Sequence, residues 1–148
     1  MKYITAFALT IFSLSAYSAS QCDDNKTIYY GMNTKHTKEV QVCDLGSKIS
    51  YQFGPVGKKP EIMLVKNKSD IKKEFLNGSG YRVEMLYIPN GEFTYGVGYS
   101  YSSGDNSEQH VVDVFKGDIQ TTSPKATIKL APNTVENRIT ESDIPDME

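Results

Sequence analysis

The residues that could carry out catalysis are few in this 148-residue sequence, and their spacing brings none of them together. The two histidines are far apart, with His36 in a predicted turn and His110 at the start of a predicted strand. Nucleophilic catalysis needs a nucleophile beside an oriented base, and no such set can be assembled here. Glu84, Glu92 and Asp113 are candidate carboxylates for glycoside chemistry, but nothing in the sequence pairs two of them. We therefore expect a protein that is not an enzyme.

Metal and cofactor sites are not expected either. Zinc sites take three or four protein ligands, and two cysteines with two distant histidines do not provide them. Gly96 and Gly98 lie within a predicted strand, and no helix start follows them to bind a phosphate. The expectation is therefore a protein without a metal and without a cofactor.

Residues 1–20 have the pattern of a secretory signal. They carry one cation at Lys2, then an apolar run, then small residues that suit signal peptidase. Cleavage is expected before Gln21, with cleavage after Ser18 as the alternative. Because no long apolar segment follows, we expect a periplasmic or secreted protein with no integral membrane segment after signal cleavage.

The mature chain has about 128 residues, which is enough for one domain with its own core. We expect an antiparallel β domain over residues 21–132 and a disordered acidic tail over residues 133–148, where apolar residues become sparse. Cys22 and Cys43 are the only cysteines, and export permits a disulfide between them. Such a bridge would stabilise the domain by roughly 3 kcal/mol. Two free thiols are the alternative.

The charge balance argues against one class of partner. Without Lys2, the 16 Lys and Arg residues fall to 15 against 18 Asp and Glu, a formal charge of −3. This balance does not favour nucleic-acid binding. Lysines dominate residues 58–73 and carboxylates dominate residues 131–148, which we interpret as a solvated loop region and a frayed terminus.

Alternation of apolar and polar residues predicts an all-β fold: a single antiparallel β-barrel or sandwich of about eight strands with at most one short helix. A first hairpin is expected over residues 26–45, and further strands over residues 48–54 and 125–130. The run at residues 61–65 is apolar on both faces, which predicts a central strand. Residues 69–78 are the helical candidate, with apolar residues four apart and a glycine to end the helix.

Residues 81–101 form a second predicted hairpin, and its register decides which side chains enter the core. A three-residue turn at 89–91 keeps Pro89, which lacks an N–H, out of the hydrogen-bonded ladder. A two-residue turn at 90–91 would instead bury Glu84 among large side chains, and burial of an unpaired charge is costly. We therefore expect the three-residue turn.

In that register the odd-numbered residues of both strands form a continuous core row, with Tyr87 opposite Phe93. The glycines at positions 96 and 98 then fall on the outer face beneath Arg82 and Glu84. That face is either closely approached by another backbone or a shallow exposed groove with a charged wall.

The sequence has ten tyrosines and no tryptophan. Tyr29 and Tyr30 point to opposite faces of their strand, so we expect some tyrosine to be exposed. Exposed tyrosine suits protein or sugar recognition, because its large rigid ring carries a polar tip.

The segment Gly78-Ser79-Gly80-Tyr81-Arg82 resembles the loop of bacterial periplasmic inhibitors of c-type lysozyme. These are small exported β-barrels that insert a loop rich in serine and glycine into the active-site cleft of the enzyme. The resemblance implies that Ser79 is the inserted hydroxyl and that Arg82 is a cation near the catalytic carboxylates. It covers these five residues.

Two functional hypotheses follow. The first is a non-enzymatic inhibitor or immunity protein that acts on a cell-wall-degrading enzyme or toxin, with Ser79, Gly80, Tyr81, Arg82 and Asp105 in contact with the partner. It predicts that the loops at 77–82 and 102–108 lie together at one rim. The second is a structural or surface-interaction domain, as in an adhesin or envelope component, which would use a sheet edge or the glycine face.

Overall fold

The computed structural model describes residues 22–23 and 26–148, which fold into two antiparallel sheets of five strands each. The strands are, in chain order, β1 (Thr27–Met32), β2 (Lys38–Asp44), β3 (Lys48–Pro55), β4 (Ile62–Asn67), β5 (Lys72–Gly78), β6 (Tyr81–Asn90), β7 (Phe93–Ser102), β8 (Ser107–Lys116), β9 (Ala126–Lys129) and β10 (Glu136–Asn137). Short 3-10 turns occur at Lys68–Asp70, Pro132–Thr134 and Ile139–Glu141. The predicted signal at residues 1–20 lies outside the described residues.

The first sheet has the strand order β10-β1-β2-β3-β4, and the second has the order β5-β6-β7-β8-β9. The predicted all-β class is confirmed. Of the two predicted architectures the sandwich is the one that fits, with ten strands rather than about eight, because neither sheet closes into a barrel. Among the described residues, no helix has the length and apolarity to cross a membrane.

The core lies between the two sheets. Tyr51 of the first sheet stacks on Tyr95 of the second, with ring centroids 5.2 Å apart and planes 6° from parallel. Around this pair are side chains that alternate along their strands and so point to the same face. The fully buried apolar members of this cluster include Val40, Val42, Ile49, Leu86, Ile88, Val97 and Val112.

The β6–β7 hairpin turns at residues 91–92, so the turn ends one position later than either turn considered from the sequence. Asn90 pairs with Phe93, so the expected pairing of Tyr87 with Phe93 is wrong. Gly91 has φ +62° at the first turn position, where a type II′ turn favours glycine. Pro89 pairs with Thr94, next to the closing pair Asn90–Phe93. At that position the backbone nitrogen points away from β7, so the missing N–H of Pro89 interrupts no hydrogen bond with that strand.

The register differs from the predicted one by an odd number of residues, so the core-facing residues of β6 are the even-numbered ones. Leu86 and Ile88 are fully buried there, and Glu84 is buried beside them. The expectation that Glu84 flanks the outer face is therefore wrong. The expected burial of Tyr95 and Val97 is confirmed. The change of register exchanges the core face and the outer face of β6 but leaves the two faces of β7 as expected.

The outer face over the β7 glycines is covered. A Cβ added at Gly96 would lie 3.1 Å from Phe115 Cε2 and 3.2 Å from Met85 Cε. Tyr87 completes this layer, with its ring centroid 6.1 Å from that of Phe115 in an edge-on arrangement. A Cβ at Gly98 would overlap the Glu84 carbonyl oxygen. This face is therefore not an exposed groove: close approach of the β6 backbone explains Gly98, and side chains of the neighbouring strands cover Gly96.

Two predicted elements in the middle of the chain are wrong. The run at 61–65 belongs to β4, which is an edge strand rather than a central one and leaves Met63 62% and Val65 52% exposed. The predicted helix at 69–78 is mostly β5, the edge strand of the second sheet. Apolar residues four apart fit a strand as well as a helix, because an even spacing also keeps them on one face of a sheet.

The segment at residues 133–148 was expected to be a disordered tail, but it is packed against both sheets. Its β10 pairs with β1, and Ile139 and Ile144 are buried in the core. Further along, the Lys73 N–H donates to the Pro145 carbonyl oxygen at 2.9 Å. Buried apolar side chains, strand pairing and backbone hydrogen bonds therefore anchor this mostly polar segment.

The same segment explains part of the uneven charge distribution. The Lys68 side chain is largely shielded from solvent, and its ammonium donates to Asp44 at 2.9 Å and to Asp143 at 2.5 Å. Lys73 lies 3.4 Å from Asp146. Lysines of the central stretch thus pair with carboxylates of the C-terminal stretch, so these two regions are not simply solvated.

The expected disulfide between Cys22 and Cys43 is confirmed, with Cα atoms 5.5 Å apart. It fixes the first described residue to β2. Tyr29 and Tyr30 are both buried, on opposite faces of β1, so neither is the expected exposed tyrosine; that expectation is met instead by Tyr81, which is half exposed. The hydroxyl of Tyr30 donates to Glu39 at 2.9 Å.

Candidate functional site

Two hairpin loops lie side by side at one end of the second sheet. The β5–β6 hairpin turns at residues 79–80, and the β7–β8 hairpin turns at residues 103–106. Because β6 and β7 are antiparallel neighbours, these two turns must emerge at the same end of the sheet. The Ser103 N–H donates to the Gly80 carbonyl oxygen at 2.7 Å and joins the loops. The structure thus brings together the two segments that the inhibitor hypothesis places at one rim.

The five residues predicted to contact a partner are all exposed at this end, which we call the hairpin end (residues 77–82 and 102–108). Tyr81 has half of its surface accessible. Gly80 has φ +90°, which glycine adopts without strain. Asp105 accepts the Ser107 N–H at 3.1 Å, and hydrogen bonds from the Ser107 side chain and backbone lower the pKa of Asp105. Asp105 therefore stabilises its own loop.

Toward the hairpin end, the core face of the second sheet changes from apolar to polar. The last apolar row across the central strands is Leu86, Val97 and Val112. Two polar rows follow toward the loops. The first consists of Phe75, Glu84, Tyr99 and His110, and the second of Asn77, Arg82, Tyr101 and Glu108.

Glu84 is a buried carboxylate whose two oxygens both have partners. Arg82 Nε donates to Oε1 at 2.7 Å, and Asn137 Nδ2 donates to Oε2 at 2.7 Å. The Arg82 guanidinium also lies 5.8 Å from the centroid of the Phe75 ring. These contacts compensate the burial of the charge, because a buried carboxylate is tolerated when it is paired and hydrogen-bonded.

His110 is oriented by Tyr29 from the other sheet. The Tyr29 hydroxyl lies 3.1 Å from His110 Nδ1 and 3.2 Å from the Gly98 carbonyl oxygen. A carbonyl only accepts, so both contacts are satisfied when Tyr29 donates to Gly98 and accepts from Nδ1–H. In that arrangement the neutral imidazole carries a lone pair on Nε2.

The protonation states support this arrangement. Burial lowers the pKa of His110, and this effect outweighs the opposing influence of Glu108 and Glu84. Burial, together with the charge of Glu84, raises the pKa of Tyr29. At neutral pH the imidazole is therefore neutral and the phenol keeps its proton.

These residues line an open depression of about 250 Å³. Its walls are Arg82, Glu84, Tyr99, Glu108, His110 and Asn137. Glu108 Oε1 lies 3.8 Å from His110 Nε2, and the rings of Tyr99 and His110 have centroids 4.9 Å apart. Within the described part of the chain, no three His, Cys, Asp or Glu side chains are grouped to hold a metal ion. The depression therefore offers hydrogen-bond acceptors, an aromatic ring and the exposed part of the Arg82 guanidinium.

Sequence reasoning identified Arg82 at this site but did not bring Glu84, Tyr99 and His110 together. The incorrect hairpin register placed Glu84 on the outer face. Asn137 was missed because it lay in the segment expected to be disordered. A charged residue inside an otherwise apolar strand, as at Glu84, was the signal that pointed to a buried polar partner.

Comparison with protein-family models finds none that matches this chain, and no match is found among curated proteins or solved structures.

Proposed function

We propose that this chain is an exported, non-enzymatic binding protein that blocks a cell-wall-degrading enzyme or toxin through its hairpin end. The observation that carries the proposal is the pair of joined loops, with Ser103 bonded to Gly80 and Tyr81 exposed beside them. The similarity of residues 78–82 to the loop of c-type lysozyme inhibitors supports the choice of partner. The disulfide supports export to an oxidising compartment, the periplasm or the exterior.

The loops are ordered before any partner binds. Asn106 adopts φ +50°, in the left-handed region that asparagine tolerates. The bond from the Ser107 N–H to Asp105 stabilises the β7–β8 turn internally, and the bond from the Ser103 N–H to the Gly80 carbonyl joins that turn to the β5–β6 turn. A loop that is already ordered loses less conformational entropy on binding, so more of its contact energy appears as affinity.

The chemistry of the hairpin end suits a cleft that contains carboxylates. Tyr81 supplies a large ring with a polar tip, and tyrosine and arginine are enriched among residues that dominate interface affinity. The Arg82 side chain is 47% exposed although it pairs with Glu84. Its remaining N–H groups can therefore donate to a second carboxylate, because a guanidinium has five donors.

A lysis assay tests the proposal directly. The mature chain, residues 21–148, is added in molar excess to a c-type lysozyme, and the turbidity of a peptidoglycan suspension is followed. We expect inhibition by the wild-type chain, and a loss of at least about tenfold in inhibitory potency for Tyr81→Ala.

Met63→Ala is the matched control, because it also truncates an exposed apolar side chain but lies on β4 of the other sheet. It should inhibit as the wild type does. The proposal fails if the wild-type chain inhibits neither c-type lysozyme nor any cell-wall-degrading enzyme recovered with it from envelope extract. Equal loss of inhibition in both variants would instead remove the hairpin end from the interface.

A second candidate function is a surface-interaction domain that associates through a sheet edge. The observation in its favour is the exposed apolar pair Met63 and Val65 on edge strand β4. Unpaired edges with apolar side chains can add a strand from another chain. Sedimentation velocity over a concentration series should then show self-association that Val65→Lys abolishes, without inhibition of lysis.

A further inference from the structure

We propose that the depression below the hairpin end is a binding site for a primary ammonium group. The site lies between the Tyr99 ring, the His110 imidazole and the Glu108 carboxylate. This inference goes beyond the proposed function, since a small amine would fill the site whether or not a partner protein carries it.

His110 supplies the first acceptor. Its Nδ1–H is directed to the Tyr29 hydroxyl, which is itself held by the Gly98 carbonyl. Nε2 is left with a lone pair next to Glu108, at 3.8 Å from Oε1. Nε2 and Oε1 are both acceptors and do not bond each other, but a donor placed between them can bond both. An ammonium has three N–H donors and no lone pair, which matches this arrangement.

Tyr99 supplies the aromatic surface. Its ring lines the depression beside the imidazole, with a centroid separation of 4.9 Å. The face of an aromatic ring attracts cations within about 6 Å of its centroid. A cation that bonds Nε2 and Glu108 therefore lies where the Tyr99 ring can also stabilise it.

The charge balance favours a cation over an anion. The lining residues include two carboxylates, Glu84 and Glu108, and one guanidinium, Arg82. Arg82 is paired with Glu84, whose second oxygen accepts from Asn137. Glu108 is left as the carboxylate whose charge is balanced least, because the neighbouring His110 imidazole is neutral at neutral pH.

The volume of the depression, about 250 Å³, admits the ammonium and several carbons attached to it. Two sources carry this chemistry. One is the side chain of a lysine on a protein, and the other is an amino sugar with a free amine. Both place a primary ammonium at the end or edge of a small apolar body, which the Tyr99 ring can contact.

Titration of the ¹⁵N-labelled mature chain, followed by NMR at neutral pH, tests the site with four probes. Nα-acetyl-lysine methylamide is compared with its norleucine analogue, which has a similar stem without the ammonium. Glucosamine is compared with glucose in the same way. We expect one or both ammonium probes to shift the amide signals of Tyr99, Glu108 and His110, and we expect the uncharged analogues to leave them unchanged. Whichever ammonium probe binds identifies the source.

Three variants separate the site from general charge effects. Glu108→Gln should weaken binding of the ammonium probe roughly tenfold, since it replaces a charged hydrogen bond by a neutral one. His110→Asn, which retains a donor near Tyr29 and removes Nε2, should weaken binding to a similar extent. Glu92→Gln is the control, because it removes the same charge at the opposite end of the sheet and should bind as the wild type does.

The proposal is overturned if the uncharged analogues shift the same signals, if no ammonium probe shifts them, or if Glu92→Gln weakens binding as much as Glu108→Gln. These titrations contain no partner protein, so their failure leaves the result of the lysis assay with Tyr81→Ala unaffected. Conversely, a chain that inhibits no enzyme can still bind the ammonium probes.

Discussion

The Tyr29 hydroxyl and His110 Nδ1 are hydrogen-bonded at 3.1 Å although the two residues belong to different sheets. The bond links β1 to β8 at the point where the core becomes polar. Nδ1 carries a hydrogen in both the neutral and the charged imidazole, so protonation of His110 at Nε2 leaves this bond in place and adds a charge to a half-buried ring.

Stability should fall when this imidazole is charged. Burial lowers the folded-state pKa of His110 below its ordinary 6.5, so the unfolded chain binds a proton more readily. The stabilisation is therefore fully present above pH 6.5 and is lost as the pH falls through the lowered pKa. Urea unfolding between neutral and mildly acidic pH should show this loss in the wild type. His110→Asn cannot titrate and should give a shallower pH dependence, and equal slopes would contradict the prediction.

Gly98 should tolerate no side chain. Gly98→Ala would place its Cβ against the Glu84 carbonyl oxygen in the next strand, so the pair β6–β7 must separate. We expect a loss of about 3 kcal/mol or more in the free energy of unfolding, at the upper end of overpacking effects. Gly104→Ala is the control, since a Cβ there comes no closer than 3.7 Å to its neighbour. Thermal unfolding of both variants, with the yield of folded protein, provides the measurement.

Truncation of an apolar anchor in the C-terminal segment should destabilise the whole domain. Ile144→Ala removes a side chain that is 2% exposed, and such a loss costs about 2–4 kcal/mol in a packed core. The exposed Val65→Ala on β4 should change the free energy of unfolding by less than about 0.5 kcal/mol. Denaturant titrations compare the two variants. If Ile144→Ala were as stable as Val65→Ala, the segment would not be packed in solution.

The disulfide should contribute to equilibrium stability. Replacing Cys22 and Cys43 together by serine should lower the free energy of unfolding by roughly 3 kcal/mol, the expectation for a loop of this length. The oxidised wild type and the double variant are compared by urea unfolding, with the reduced wild type as a second reference. A double variant as stable as the oxidised protein would show that the bridge constrains only the terminus.

The fold class and the disulfide could be predicted because they rest on local patterns. The β1–β2 hairpin and β3 alternate regularly, and two cysteines behind a predicted secretory signal favour a bridge. The position of Glu84 could not be predicted in this way. Its burial depends on Asn137, a residue more than fifty positions away, and the cost assigned to burying it assumed that no such partner existed.

The edge strands were missed for a related reason. β4 is apolar on both faces as a central strand would be, yet Met63 and Val65 face outward, and only the sheet order reveals it. The C-terminal segment has too few apolar residues for a compositional rule to detect, because its order depends on Ile139 and Ile144 entering a core built by distant strands.

The joining of β10 to β1 has a consequence for the order in which the molecule assembles. The edge of β1 at Tyr29 and Tyr30 has no paired strand until Asn137 and Glu136 of β10 bind there. Closing so long a loop is entropically unfavourable until most other contacts exist. As the polypeptide emerges residue by residue, the first sheet therefore keeps one border open until β10 has been made.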